Sequence, residues 1–104
     1  MLIKREKIKS NKGKKGNKES REIKETRVAL ISIIVEEQEA AGSINELLHE
    51  YRQYVIGRMG IPYPAKNISI ISVAVDAPQD AVSALSGRLG ALDGVSTKTV
   101  YSKL

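Results

Sequence analysis

Y-V-I-G-R-M-G-I-P-Y-P-A-K-N-I-S-I-I-S-V-A-V-D, residues 54–76, holds two apolar runs of strand length on either side of a short loop with two prolines. Pro62 and Pro64 fix φ and lack the amide donor that a ladder needs, so a loop is expected at 62–66, between strands at 54–61 and 67–76. Strict alternation in the first run sets Val55, Gly57, Met59 and Ile61 on one face and Tyr54, Ile56, Arg58 and Gly60 on the other. Gly57 and Gly60 inside a strand pattern signal a bulge or a close backbone approach. The second run is apolar on both faces, Ile68 and Ile70 against Ile71, Val73 and Val75.

Upstream, V-A-L-I-S-I-I-V at 28–35 is a β-branched run of strand length, again apolar on both faces. Glu36, Glu37 and Glu39 then supply negative charge where a helix start favours it, and Ala40, Ile44, Leu47, Leu48 and Tyr51 follow at helical spacing. This predicts a first helix over about 38–50; Ser43 and Glu46 also match a capping box, which allows a later start. Downstream, Asp76-Ala77-Pro78 ends a strand and opens a second helix, with Pro78 in its first turn and Asp76 or Asp80 near its free amides. Val82, Leu85 and Leu89 form the buried stripe, Gly90 stops the helix, and a last strand over 95–103 follows the Asp93-Gly94 turn.

The resulting order is βαββαβ, an α+β, ferredoxin-like arrangement in which two helices cover one face of a four-stranded antiparallel sheet. Two helices leave the other face open, yet the first and third strands are apolar on both sides. A second subunit is therefore expected on the uncovered face, making a dimer or tetramer; the simpler alternative is a modestly apolar exposed face.

At 104 residues the chain allows one folded domain, expected at 25–104. Residues 1–24 hold ten Lys and Arg against three Glu, a net +7, which leaves −2 for the rest of the +5 chain. With Leu2, Ile3, Ile8 and Ile23 as their large branched apolar side chains, these residues read as a basic disordered tail. The absence of cysteine excludes disulfides, zinc ribbons and iron–sulfur ligation by thiolates. Neither the apolar run of a signal peptide nor that of a membrane span occurs, so a cytoplasmic protein without membrane contact is expected. Asn67-Ile68-Ser69 matches a glycosylation sequon, which has no consequence without secretion.

The residues exclude more chemistry than they propose. With His49 as its one histidine, the chain cannot assemble a nucleophile–base pair short of a lysine base, and no lysine lies in an apolar segment. His49 and Glu50 can be drawn as ligands of a metal shared between subunits, but a histidine favoured by the helix dipole is the simpler reading, and no metal or other cofactor is expected. Gly13-Lys14-Lys15-Gly16 is a G-x-x-G without the flanking elements that RNA clamping requires, and no nucleotide-binding glycine motif occurs. The tail, through Lys12, Lys14, Lys15 and Lys18, offers nonspecific nucleic-acid binding; its alternatives are a solvated leader or an upstream start choice. It lacks the apolar periodicity of a sequence-reading module. Arg58 stands out as an arginine inside an apolar strand, with Tyr54 before it and Tyr63 after it. It either forks onto a carboxylate or phosphate in a cleft between subunits or pairs at the sheet edge with Glu50 or Asp76 of a neighbour. Arg58, Tyr54, Tyr63 and His49 are the candidate effector-binding residues.

The block at 54–76, with V-A-L-I-S-I-I-V-E before it and G-R-L-G-A-L-D-G-V-S-T-K-T-V-Y-S-K at 87–103, resembles the small iron-only hydrogenase system regulators over roughly residues 25–104. That family is similar to the effector half of the nickel-responsive repressor and to ACT-like regulatory domains. The resemblance implies a homo-oligomeric sensor, with a link to transcriptional regulation, whose assembly responds to a small effector or a hydrogenase maturation protein. It implies no enzyme. The repressor's metal site, built from several histidines and a cysteine, is not carried over to a chain with one histidine and no cysteine. Relatives that bind amino acids do so near a glycine-containing first strand–helix turn; here that turn is Val35-Glu36-Glu37-Gln38, acidic and without glycine.

Overall fold

The computed structural model describes residues 25–103. The expectations placed on residues 1–24, including Lys12, Lys14, Lys15 and Lys18, lie outside the described residues. In chain order the elements are β1 (Thr26–Val35), α1 (Ala40–Glu50), β2 (Val55–Tyr63), β3 (Ile68–Pro78), α2 (Gln79–Gly90) and β4 (Val95–Tyr101). Short 3-10 turns at Arg52–Tyr54 and Pro64–Lys66 lead into β2 and β3. The strands form one sheet in the order β2-β3-β1-β4, every neighbouring pair antiparallel. This is the ferredoxin-like α+β arrangement that the alternation of elements predicts.

The core follows from period two in the strands and helical spacing in the helices. Ala29, Ile31, Ile33 and Val35 of β1 and Val73, Val75 and Ala77 of β3 are buried on the helix side. They meet Ile44, Leu47 and Leu48 of α1 and Val82, Leu85 and Leu89 of α2 in one cluster. The predicted helical stripes are thus the buried ones. Helix α1 begins at Ala40 with no side-chain cap, so the Ser43–Glu46 capping box is not used as a start.

Two expectations about β2 change. The strand runs on through Pro62 to Tyr63, where the sequence predicts a loop from residue 62. A missing amide donor is tolerated there because β2 is an edge strand, paired only with β3. The second change is one of phase. The ladder shifts between Val55 and Gly57, so Val55 pairs with Val75, Gly57 with Ala74, Arg58 with Val73 and Gly60 with Ile71. Ile56 is the extra residue of a β-bulge. Directly opposed residues share a face, so Val55, Arg58 and Gly60 stand on the helix side while Gly57, Met59, Ile61 and Tyr63 stand on the other. Strict alternation sets Val55 with Met59 and Ile61, and the bulge separates them.

The ends of the elements are held by specific contacts. Gly94, with φ 75°, makes the turn into β4, and its carbonyl accepts a 2.7 Å hydrogen bond from the Glu36 amide. A Cβ at this position would overlap the Glu37 side chain, so the close approach of the two turns requires glycine. Asn67, with φ 57°, closes the turn before β3, a conformation that asparagine tolerates. Arg27 lies 4.7 Å from the Tyr101 ring centroid and donates to Gln79 Oε1 at 3.1 Å and to the Ser102 carbonyl at 3.0 Å. It ties the start of β1 to the end of β4 and the start of α2.

Candidate functional site

The face of the sheet away from the helices carries side chains that the single-chain core does not use. Reading the register across it, Ile61, Ile70 and Ile34 form one apolar row, and Ala74, Leu30 and Val100 form a second. Between them runs a row of Met59, Ser72, Ser32 and Lys98. Leu30 is 43% exposed, Met59 64% and Val100 62%. Every large apolar side chain exposed among the described residues lies on this face or on β2. The exposed apolar area thus falls in two rows with a more polar row between them.

A second feature lies on the helix side, where the helices stop short of the edge strand. β2 is exposed along nearly its whole length, and the space between it and α1 forms an open cleft of about 140 Å³. Its floor is apolar, from Val35, Ile44 and Ile71, and its rim carries Gln38, Asn45, Arg58 and Ser69. Arg58 Nη2 donates to Asn45 Oδ1 at 3.2 Å, the one side-chain hydrogen bond recorded for this arginine among the described residues. The bulge at Ile56 is what turns Arg58 toward α1.

A third cluster ties the two helices together. Arg88 of α2 donates to Glu50 Oε2 at 2.9 Å and to the Tyr51 hydroxyl at 3.3 Å, and its guanidinium lies 5.7 Å from the Tyr51 ring centroid. The hydrogen bond from Arg88 holds the Glu50 carboxyl below the usual carboxylate range and raises the pKa of Arg88 itself. Both side chains are about half exposed, so solvent screens the pair and it serves as a clasp rather than a reactive centre.

The family model of the TM1266-like proteins, putative iron-only hydrogenase system regulators, matches residues 27–99. The chain belongs to this family. Among solved structures it is similar to the uncharacterized protein TM1266 from Thermotoga maritima, with 36% identity and a TM-score of 0.73 over 76% of this chain and 100% of that one. No curated protein matches it significantly. The family match spans the open sheet face and the Arg58 cleft alike.

Within this family member, the four residues singled out from the sequence do not converge. Arg58 is on the cleft rim. Tyr63 is on the open face, the opposite side of the same strand. Tyr54 packs against the core beside Tyr51, with ring centroids 6.5 Å apart. His49 sits in the last turn of α1, exposed, its carbonyl accepting a 2.8 Å hydrogen bond from Arg52 Nη1. Within the chain, Glu50 pairs with Arg88. Among the described residues no three His, Asp or Glu side chains gather in a way that could hold a metal ion. No described helix is long and apolar enough to cross a membrane. Asn45, Gln38 and Ser69, the polar neighbours of Arg58, were not distinguishable in the sequence; the signal pointing to their cleft is Gly57, the glycine that marks the bulge.

Proposed function

We propose that this chain is a cytoplasmic regulatory module of the iron-only hydrogenase system that works as a homo-oligomer, with a second copy seated on the open sheet face. A small effector or a hydrogenase maturation protein shifts the assembly, and no catalytic step is assigned. The observation that carries this reading is the gathering of the exposed large apolar side chains on one face and its edge strand. A two-fold pair of identical sheets fits it, because apolar rows flanking a Ser32–Ser72 row allow like to stack on like. The near-neutral charge of residues 25–104 adds little repulsion between copies. Family membership supports the link to the hydrogenase system.

Native mass spectrometry of the full chain tests the reading. A multimer is expected for the natural chain and a folded monomer for the Leu30→Lys, Ile61→Lys double variant. A monomeric natural chain would overturn it.

A second reading, nonspecific nucleic-acid binding, is supported by the ten Lys and Arg of residues 1–24. It predicts retardation of unrelated DNA duplexes that falls steeply between about 50 and 200 mM salt and vanishes when residues 1–24 are removed.

A further inference from the structure

We infer that the cleft between α1 and β2 is a binding site for a small monocarboxylate with a compact apolar body, its carboxylate held by Arg58 and its apolar part resting on Val35, Ile44 and Ile71. The inference deepens the effector half of the regulatory reading and rests on that reading for its use, while the cleft itself stands whatever the assembly.

Four observations carry it. The first is the position of Arg58. On the helix side of the sheet its neighbours across and along the ladder are Val73, Val55 and Ile71, all packed into or against the core. Arg58 is thus an exposed cation over an apolar floor at the edge of the sheet, and the bulge at Ile56 is what sets it on that side. The second is its partner. The guanidinium offers five donors in a planar fork suited to a carboxylate, and the hydrogen bond recorded for it uses a neutral amide oxygen, Asn45 Oδ1. Asn45 fixes the side chain without neutralising it, so the charge faces the cleft.

The third is the polar chemistry of the rim. Gln38, Asn45 and Ser69 can each donate a hydrogen bond, and the cleft lining includes no acidic side chain. Donors around an apolar floor, with Arg58 as the one charged group among them, suit an accepting group on a body that prefers to leave water. The fourth is the charge just outside. Glu39 follows Gln38 and Glu46 follows Asn45, both exposed, whereas the Glu37 side chain lies against the Gly94 turn. A single negative charge on the Arg58 fork tolerates this surround, whereas phosphate or a dicarboxylate would set its second charge against it. The open cleft of about 140 Å³ suits a small body resting on its apolar floor.

The test is a titration of the isotope-labelled full chain, at constant ionic strength, with isobutyrate as probe, followed by amide chemical shifts. Isobutyramide, which lacks the charge, and inorganic phosphate, which has too much, serve as comparisons. Saturable shifts are expected at residues 38–45, 58 and 69 with isobutyrate, at least tenfold weaker with either comparison. Arg58→Gln, an exposed substitution that leaves the core intact, should abolish them, and Arg88→Gln should leave them unchanged. Non-saturating shifts, equal binding of phosphate, shifts centred on the open face, or binding retained in Arg58→Gln would each overturn the inference. Native mass spectra of the same samples separate the two readings. A monomer that still binds isobutyrate in the cleft removes the oligomer and leaves the site standing, and a multimer that does not bind removes the site alone. If Arg58→Gln dissociates a multimer without any ligand, the arginine is an interface residue and the inference fails.

Discussion

The two faces of β1 are made from nearly the same side chains and meet opposite fates. Ala29, Ile31, Ile33 and Val35 are buried under α1 and α2, while Val28 and Leu30 on the other side stay about 45% and 43% exposed. One strand thus reports two burial demands, and a single chain with two helices meets one of them. A pattern of apolar residues specifies that a surface is to be covered; it does not specify by what. On the helix side the cover is encoded a few residues away in the same chain, and on the open side none of the described residues supplies it.

Substitutions on the two sides should separate cleanly. The largest effect is expected for Ile31→Ala or Leu89→Ala, both wholly buried, which should lose about 2–5 kcal/mol of stability in denaturant unfolding, from lost transfer energy and the cavity left behind. If Leu30→Ala in the same strand cost as much in a dilute monomer, the distinction between the faces would collapse. Next comes Leu30→Lys with Ile61→Lys. The pair should change monomer stability by less than about 1 kcal/mol while weakening self-association by about 2 kcal/mol or more, read as a rise in the dissociation constant by sedimentation. Gly94→Ala should cost about 1–3 kcal/mol, because φ 75° strains any other L-residue and the new methyl meets Glu37. That loss should appear equally in monomer and multimer, since the turn is remote from the open face.

The smallest effect belongs to the Arg88–Glu50 clasp. Its hydrogen bond lowers the folded pKa of Glu50, so its stabilisation is present at neutral pH and is lost as pH falls through the lowered carboxylate range. Glu50→Gln should flatten that segment of the stability–pH curve and leave assembly unchanged. A change in assembly would mean that the helix side, too, meets a partner.

The order of elements, both helical stripes and the two-faced character of β1 and β3 were legible in the sequence, because each rests on a local period that tertiary packing then obeys. The phase of β2 was not. Reading by twos carries Val55 along with Met59 and Ile61, and nothing short of the ladder shows that Ile56 is an extra residue. Gly57 and Gly60 signalled the irregularity without fixing its position or sense. The cleft was hidden for a related reason. Arg58 is conspicuous in an apolar run, but Asn45 and Ser69 are ordinary residues in a helix and a strand, and only the packing of α1 beside β2 gives them a common task. Tyr54 and Tyr63 are near Arg58 in the chain, but the turn before β2 packs Tyr54 against the core and the alternation of the strand sets Tyr63 on the open face, while His49 sits exposed at the end of α1.

The bulge at Ile56 has a consequence best put in genetic terms. Removing that one codon would leave Val55 and Arg58 on the helix side and Met59 and Ile61 on the open face, as they stand now, because Ile56 is the one residue of this stretch without a partner on β3. The inner cationic rim and the outer apolar surface are therefore both compatible with a β2 one codon shorter, and the extra residue changes the bend of the strand without exchanging its faces.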